Sequence, residues 1–296
     1  MGSPPKILTQ YSDKVAPLRA APTRQAKEKE SKSMMEAPSP AASGSPAHAN
    51  EPVDAAHGKK RKKSYHRLRA HSNPLADKDI PYPICPDEVN WAAYYPAFFS
   101  PSTPSTHQVE FADVGCGFGG LTMALGRMFP DKLTMAMEIR ERVVDFVQGR
   151  IVKLREEHAQ EGLYQNVACV RINAMKHLPN YFRKGQLQKL FFLFPDPHFK
   201  KRKQRRRIIT TTLLAEYAYV VAVGGLLYTN TDVEELHQWM VKHLSEHPLF
   251  ERLSQEEMEQ DPVLELIQTT SEEAQKVAKN EGKKYPAVFR RIARPE

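Results

Sequence analysis

From Val109 onward the chain alternates short apolar runs with helix-period stretches, and that alternation restricts it to a mostly parallel sheet with helices on both faces. Val109 to Val114 reads as the first strand and Leu133 to Ile139 as the second, with a helix opened by Gly119-Gly120 between them. Val143, Val147, Ile151 and Leu154 recur at helical spacing and mark the buried stripe of a second helix. Val167 to Ile172, Leu190 to Phe194 and Leu226 to Thr229 supply three further apolar strands. The closing Ala287 to Ile292 alternates apolar and basic groups, as an edge strand does. The longest apolar stretch, Leu213 to Tyr228, is broken by Glu216 and Gly224-Gly225, so it reads as a helix, a turn and a buried strand, and a soluble protein is expected.

Residues 1–57 are rich in Pro, Ala, Ser and charge without sustained periodicity, and cannot bury enough surface to offset the entropy of ordering, so a disordered tail is expected there. Residues 58–108 form a basic arm and a Pro-rich lead-in, and residues 109–296 the folded domain. The arm begins with Lys59-Lys60-Arg61-Lys62-Lys63 and continues through Arg67 and Arg69 to Ser72 and Pro74. Nuclear import and RNA contact are both open readings of it. A formal charge of +8, from 43 Lys and Arg against 35 Asp and Glu, agrees with an anionic partner. Cys85, Cys116 and Cys169 have no ligand spacing, which points to a reducing compartment and no structural metal.

Asp113-Val114-Gly115-Cys116-Gly117-Phe118-Gly119-Gly120 leaves a strand and enters a helix, where glycines permit a tight turn and let a ligand approach the backbone. Cys116 reads as a small space-filler in that turn. Glu138 ends the second strand about 18 residues later, where a carboxylate can accept hydrogen bonds from both ribose hydroxyls of an adenosine. NAD and S-adenosylmethionine both satisfy these two features. At the next strand ends, Asn173-Ala174 can meet an adenine edge and Leu193 can line its pocket, although Asn173 can equally cap a helix and Arg140 be a solvated cation.

Phe194-Pro195-Asp196-Pro197-His198 ends an apolar strand in a carboxylate clamped between two prolines. Prolines restrict themselves and their neighbours, so Asp196 has a rigid mount at the sheet edge where ligands of open α/β folds bind. His198 reads as a packing group. Lys200, Lys201, Arg202, Lys203, Arg205, Arg206 and Arg207 follow at once, seven cations in eight positions, for which phosphates are the natural counterpart.

Taken together, Gly115 to Gly120, Glu138-Ile139-Arg140, Asn173-Ala174-Met175 and Phe194 to His198 with its basic run resemble the tRNA (guanine-N7)-methyltransferases, and Arg69 to Pro74 resembles the arm of the eukaryotic catalytic subunits. The resemblance implies a Rossmann-like class I methyltransferase with a seven-stranded sheet, S-adenosylmethionine as cofactor, a tRNA variable-loop guanine as target, and a WD-repeat partner subunit. It implies cofactor binding by Gly115, Gly117, Glu138, Ile139, Arg140, Asn173, Ala174 and Leu193, and catalysis by Asp196. Where the family carries a late Thr-x-Glu at the cofactor's amino-acid end, this chain has Ser271 and Glu273, with Thr270 adjacent. tRNA phosphates would meet Arg67, Arg69 and Lys200 to Arg207.

Other readings are methylation of a guanine in another RNA such as mRNA or miRNA, an NAD-dependent oxidoreductase, and a non-catalytic RNA-binding module. An oxidoreductase would share the glycine loop and Glu138 but should show a hydride-site acid/base and has no reason for the basic run, and a binding module would share the cations while lacking methyl transfer. Finally, Arg67-x-Arg69-x-x-Ser72 fits the preference of basophilic kinases, so Ser72 is a candidate phosphorylation site within the arm.

Overall fold

In the computed structural model, residues 72–76, 79–99 and 106–294 are described. Arg67, Arg69, the Lys59 to Lys63 run and the N-terminal tail lie outside them. The helices are α1 (Trp91–Tyr94), α2 (Gly120–Met128), α3 (Glu141–Glu157), α4 (Ala174–His177), α5 (Thr211–Val220), α6 (Glu234–Glu246), α7 (Gln255–Glu259), α8 (Val263–Thr269) and α9 (Glu272–Lys279). The strands are β1 (Val109–Val114), β2 (Leu133–Glu138), β3 (Val167–Arg171), β4 (Leu187–Leu193), β5 (Val221–Asn230), β6 (Phe250–Arg252) and β7 (Ala287–Arg291).

They form one seven-stranded sheet in the order β3-β2-β1-β4-β5-β7-β6. The first five strands run parallel, and β7 pairs antiparallel with β5 and β6. Because β1 and β2 are covered on both sides, nearly every position in them is buried, as for the central strands of a parallel sheet. Alternate residues divide between two cores. Ala112, Met135, Leu190 and Leu227 face α5 and α6, while Phe111, Ala136, Phe191 and Tyr228 face α2, α3 and α8. This is the mostly parallel sheet with helices on both faces expected from the alternation, and it has the seven strands that the resemblance implies. No described helix is long and apolar enough to cross a membrane.

Three expectations about the elements are corrected. The closing strand β7 is not at an edge: it lies between β5 and β6, with Val288 and Phe289 fully buried. Its basic residues have protein partners, Arg290 with Glu257 at 2.8 Å and Arg291 Nε donating to the Ala218 carbonyl at 2.9 Å. The edge belongs to β6, whose three residues are too few to show a period. Secondly, Gly224-Gly225 is no turn between helix and strand, because β5 begins directly after α5 and carries the pair within it as an irregularity of its pairing with β4.

Thirdly, the packed body begins well before Val109. Asn90 caps α1 by accepting from the Ala93 amide, and Tyr95 just beyond it is fully buried, its hydroxyl donating to the Thr134 carbonyl at 2.9 Å. Arg155 on α3 donates to the carbonyls of Tyr94 and Val167, at 3.1 and 2.8 Å. Segment and guanidinium together cover the outer edge of β3, which would otherwise offer unpaired backbone groups.

Candidate active site

The carboxyl ends of β1 to β5 open into one cavity of about 670 Å³, within the size range of small-molecule sites. Parallel strands present their ends side by side there, so residues scattered along the chain converge. Gly115, Gly117, Glu138, Ile139 and Arg140 line it from β1 and β2. Asn173, Ala174, Leu193 and Asp196 line it from β3 and β4, and Ser271 and Glu273 from the start of α9. Every residue expected at the cofactor or the reacting base is therefore brought to one place.

The loop after β1 has the shape of a cradle. Gly115 and Gly117 have φ of 75° and 56°, left-handed values that glycine adopts without cost, and a Cβ on either would meet no protein atom within 4 Å. The backbone here borders open space that a ligand can occupy. Gly120 does the opposite: a Cβ there would collide with the Thr270 carbonyl, so this glycine lets the α8–α9 corner close on the loop. The corner brings Ser271, whose hydroxyl caps α9 by accepting from the Ala274 amide at 3.1 Å. Thr270 is turned away, its hydroxyl donating to the Leu266 carbonyl.

Glu138 is buried and heavily bonded. Its Oε1 accepts from the Ile139 and Arg140 amides at 2.8 and 2.9 Å and from Arg140 Nε at 3.1 Å, while Oε2, among the described residues, accepts from the Arg140 terminal nitrogen alone, at 2.9 Å. A carboxylate offers about four acceptor sites, so Oε2 is the oxygen with capacity left for a ribose hydroxyl. Arg140 is thus the anchor of Glu138 and no solvated cation. Burial disfavours its charge, but the hydrogen bond and charge of Glu138, with smaller contributions from Cys116 and Asp196, hold its pKa above the ordinary guanidinium value. Asn173 stands at the N-terminus of α4 without capping it through its side chain. Its amide instead donates to the Pro74 carbonyl at 2.6 Å, and this contact draws Ser72 and Pro74 to the cavity wall.

Asp113, the first residue of the glycine motif, lines the cavity and is buried. Thr122 donates to it at 2.7 Å. Burial pushes its carboxyl up to about 7; the Thr122 bond opposes this, and the charges of Glu138 and Glu272 add to it. Cys116 is a buried space-filler, its thiol pKa raised by hydrogen bonding with Cys169 and by burial. The described residues hold no His, Cys, Asp and Glu group arranged for a metal ion.

Asp196 sits on a constrained turn. Phe194 and His198, on either side of Pro-Asp-Pro, have φ of 48° and 45°, positions that L residues seldom occupy and that cluster where geometry serves a site. Phe199 follows at the cavity mouth with 63% of its surface exposed. The basic run forms a 3-10 helix over Lys201–Arg206. Lys200, Lys201, Arg202 and Arg205 are exposed and Lys203 is half-buried.

Arg207 contradicts its expected phosphate contact. It is only 1% exposed, donates through Nε to the Pro197 carbonyl at 2.8 Å, pairs with Glu235 at 2.8 Å and lies over the Trp239 ring at 4.6 Å. It braces the Pro-Asp-Pro turn from behind. Asp232, just beyond β5, also lines the cavity. Its signal in the sequence is its place two residues past the end of β5, where ligands of open α/β sheets gather.

The chain is similar to known proteins. Residues 107–287 match the family described as "Putative methyltransferase". The chain is 56% identical over 233 residues to a tRNA (guanine-N(7)-)-methyltransferase of Caenorhabditis elegans, covering 79% of this chain and 89% of that one. It is 54% identical over 247 residues to the Homo sapiens protein of the same name, covering 79% and 89%. Among solved structures, a SAM-dependent O-methyltransferase from Thermotoga maritima is 17% identical with a TM-score of 0.40, over 64% of this chain and 62% of that one.

Proposed function

Since the chain belongs to the tRNA (guanine-N7)-methyltransferase family, we propose that its S-adenosylmethionine-dependent methylation of a tRNA guanine takes place in the cavity at the strand ends, with Asp196 as the catalytic residue. One observation carries the reading: Asp196 lines the same cavity as the glycine cradle, Glu138 and Asn173. Bound S-adenosylmethionine supplies an electrophilic sulfonium methyl group. Gly115, Gly117, Ser271 and Glu273 surround its amino-acid end. Glu138, anchored by Arg140, accepts from the ribose through Oε2, and Ile139, Asn173, Ala174 and Leu193 enclose the adenine.

Guanine N7 already presents a lone pair, so the reaction needs no general base, and the chain contributes position and charge. Asp196 accepts hydrogen bonds from the guanine N1–H and N2 amino group, which orients N7 and stabilises the positive charge that develops on methylation. Adenine lacks that pair of donors and is disfavoured. The target in this reading is a variable-loop guanine displaced from its stack to reach the cavity. Lys200, Lys201, Arg202, Lys203 and Arg205, with Arg67 and Arg69 of the arm, hold tRNA phosphates.

A WD-repeat partner subunit, expected from the resemblance, and nuclear import through Lys59 to Lys63 complete the proposal. The test is to incubate the full chain, with and without such a subunit, with labelled cofactor and bulk tRNA, and to map N7-methylguanine. Asp196→Ala is expected to bind cofactor normally and lose at least about 100-fold in turnover, the scale of removing one charge-stabilising group. Turnover near the wild-type rate in that variant would remove Asp196 from the mechanism.

A further inference from the structure

One cation of the basic run differs from the others. A 3-10 helix repeats every three residues, so positions three apart share a face. In Lys201–Arg206 the pair Arg202 and Arg205 is exposed, while Lys203 and Arg206 turn inward. Arg206 alone of the run lines the cavity, in company with Asp196, His198, Phe199 and Asp232. Among the described residues its Nε is buried without a hydrogen-bond acceptor, as is one terminal nitrogen of Arg207, but only Arg206 has the cavity beside it.

A guanidinium N–H taken out of water without an acceptor is costly, and such a group is retained where a ligand supplies the missing oxygen. The planar guanidinium fork matches phosphate oxygens. The cofactor's sulfonium is cationic, and in the proposed reading its carboxylate lies among Gly115, Gly117, Ser271 and Glu273, so neither is that partner. We propose that Arg206 binds a phosphate of the target nucleotide itself, flanking the guanine held by Asp196. The exposed cations meet phosphates further along the backbone. Base and phosphate would then be gripped from two ends of a single loop, so the nucleotide is fixed in place as well as recognised. This inference rests on the cavity being the methyl-transfer site.

The test uses the full chain and tRNA carrying one neutral methylphosphonate linkage, placed 5′ or 3′ of the target guanosine. In the wild type, one of the two linkages should lower kcat/KM by about 10- to 100-fold, the range for one charge-assisted contact. Arg206→Gln should lose a similar factor on native tRNA and then become indifferent to that linkage, with cofactor affinity unchanged. Arg206→Lys, which keeps the charge but not the fork, should retain part of the sensitivity, and Arg205→Gln all of it.

Full linkage sensitivity in Arg206→Gln, or none in the wild type, would overturn the inference and leave Arg206 pairing within the protein. If the wild type makes no N7-methylguanine on native tRNA, the methyl-transfer reading itself has failed. The two failures are thus separable.

Discussion

The raised carboxyl of Asp113 in the cavity wall predicts that cofactor binding is a proton-linked event. In the free protein its carboxyl is pushed from the usual 3.8 to about 7, chiefly by burial. A shift of about 3 units corresponds to about 4 kcal/mol between the protonation states. A carboxyl whose folded pKa is raised contributes stability that is full below pH 3.8 and lost as pH climbs through about 7. The cofactor reverses the preference, because its cationic end favours the ionised carboxylate, so binding expels a proton. If only the ionised form binds, the apparent Kd at pH 6 is roughly tenfold weaker than at pH 8.

Calorimetric titration at pH 6, 7 and 8, in buffers of different ionisation enthalpy, reads both the Kd and the proton count, with about half a proton released at pH 7. Asp113→Asn, whose amide oxygen can still accept from Thr122, serves as the control, since it retains only the titration of the cofactor's own amine. It should also unfold at higher denaturant than the wild type at pH 8 and lose roughly 60% of that advantage by pH 5. Matching pH dependences in wild type and variant would refute the linkage.

Other perturbations address the supports of the site. Arg207→Ala should cost about 2–4 kcal/mol in urea unfolding by losing the Pro197 bond and the Trp239 stack, with little from the half-exposed Glu235 pair. Its kcat should fall while cofactor Kd holds; a loss of stability with unchanged kcat would show that the turn keeps its shape without the brace. Gly120→Ala drives a methyl into the Thr270 carbonyl and should cost about 1–3 kcal/mol. The same variant should weaken cofactor binding by displacing Ser271 and Glu273, and an unchanged Kd and melting temperature would contradict the close approach. Ser72→Asp adds negative charge to a wall already shared by Asp113, Glu138 and Asp196, and should lower tRNA turnover where Ser72→Ala does not. Equal turnover of the two variants would count against phosphorylation as a control.

The elements whose identity rests on local periodicity were legible without coordinates. β1 runs over the residues its apolar pattern marks, and β2 and β3 end one residue short of it, at Glu138 and Arg171. Their ends carry the glycine cradle, Glu138 and Asn173, because a parallel sheet delivers whatever follows each strand to one side. β6 was invisible because three residues carry no period, and β7 read as an edge because its arginine partners, Glu257 and Ala218, lie far off in sequence.

The sequence by itself determined the fold class, which residues stand at each strand end and the basic character of the loop after Asp196. Only the tertiary structure decided what each cation of that loop does. Arg205, Arg206 and Arg207 are adjacent and chemically identical, yet one faces solvent, one the cavity and one the Trp239 ring. Composition records their charge, but the direction of a side chain in a short helix is set by what packs against it. For Arg207 that is α6, contributed by a distant part of the chain. The same holds for the lead-in, whose place against β3 depends on Arg155 reaching back to Tyr94. No local pattern in the lead-in announces that contact.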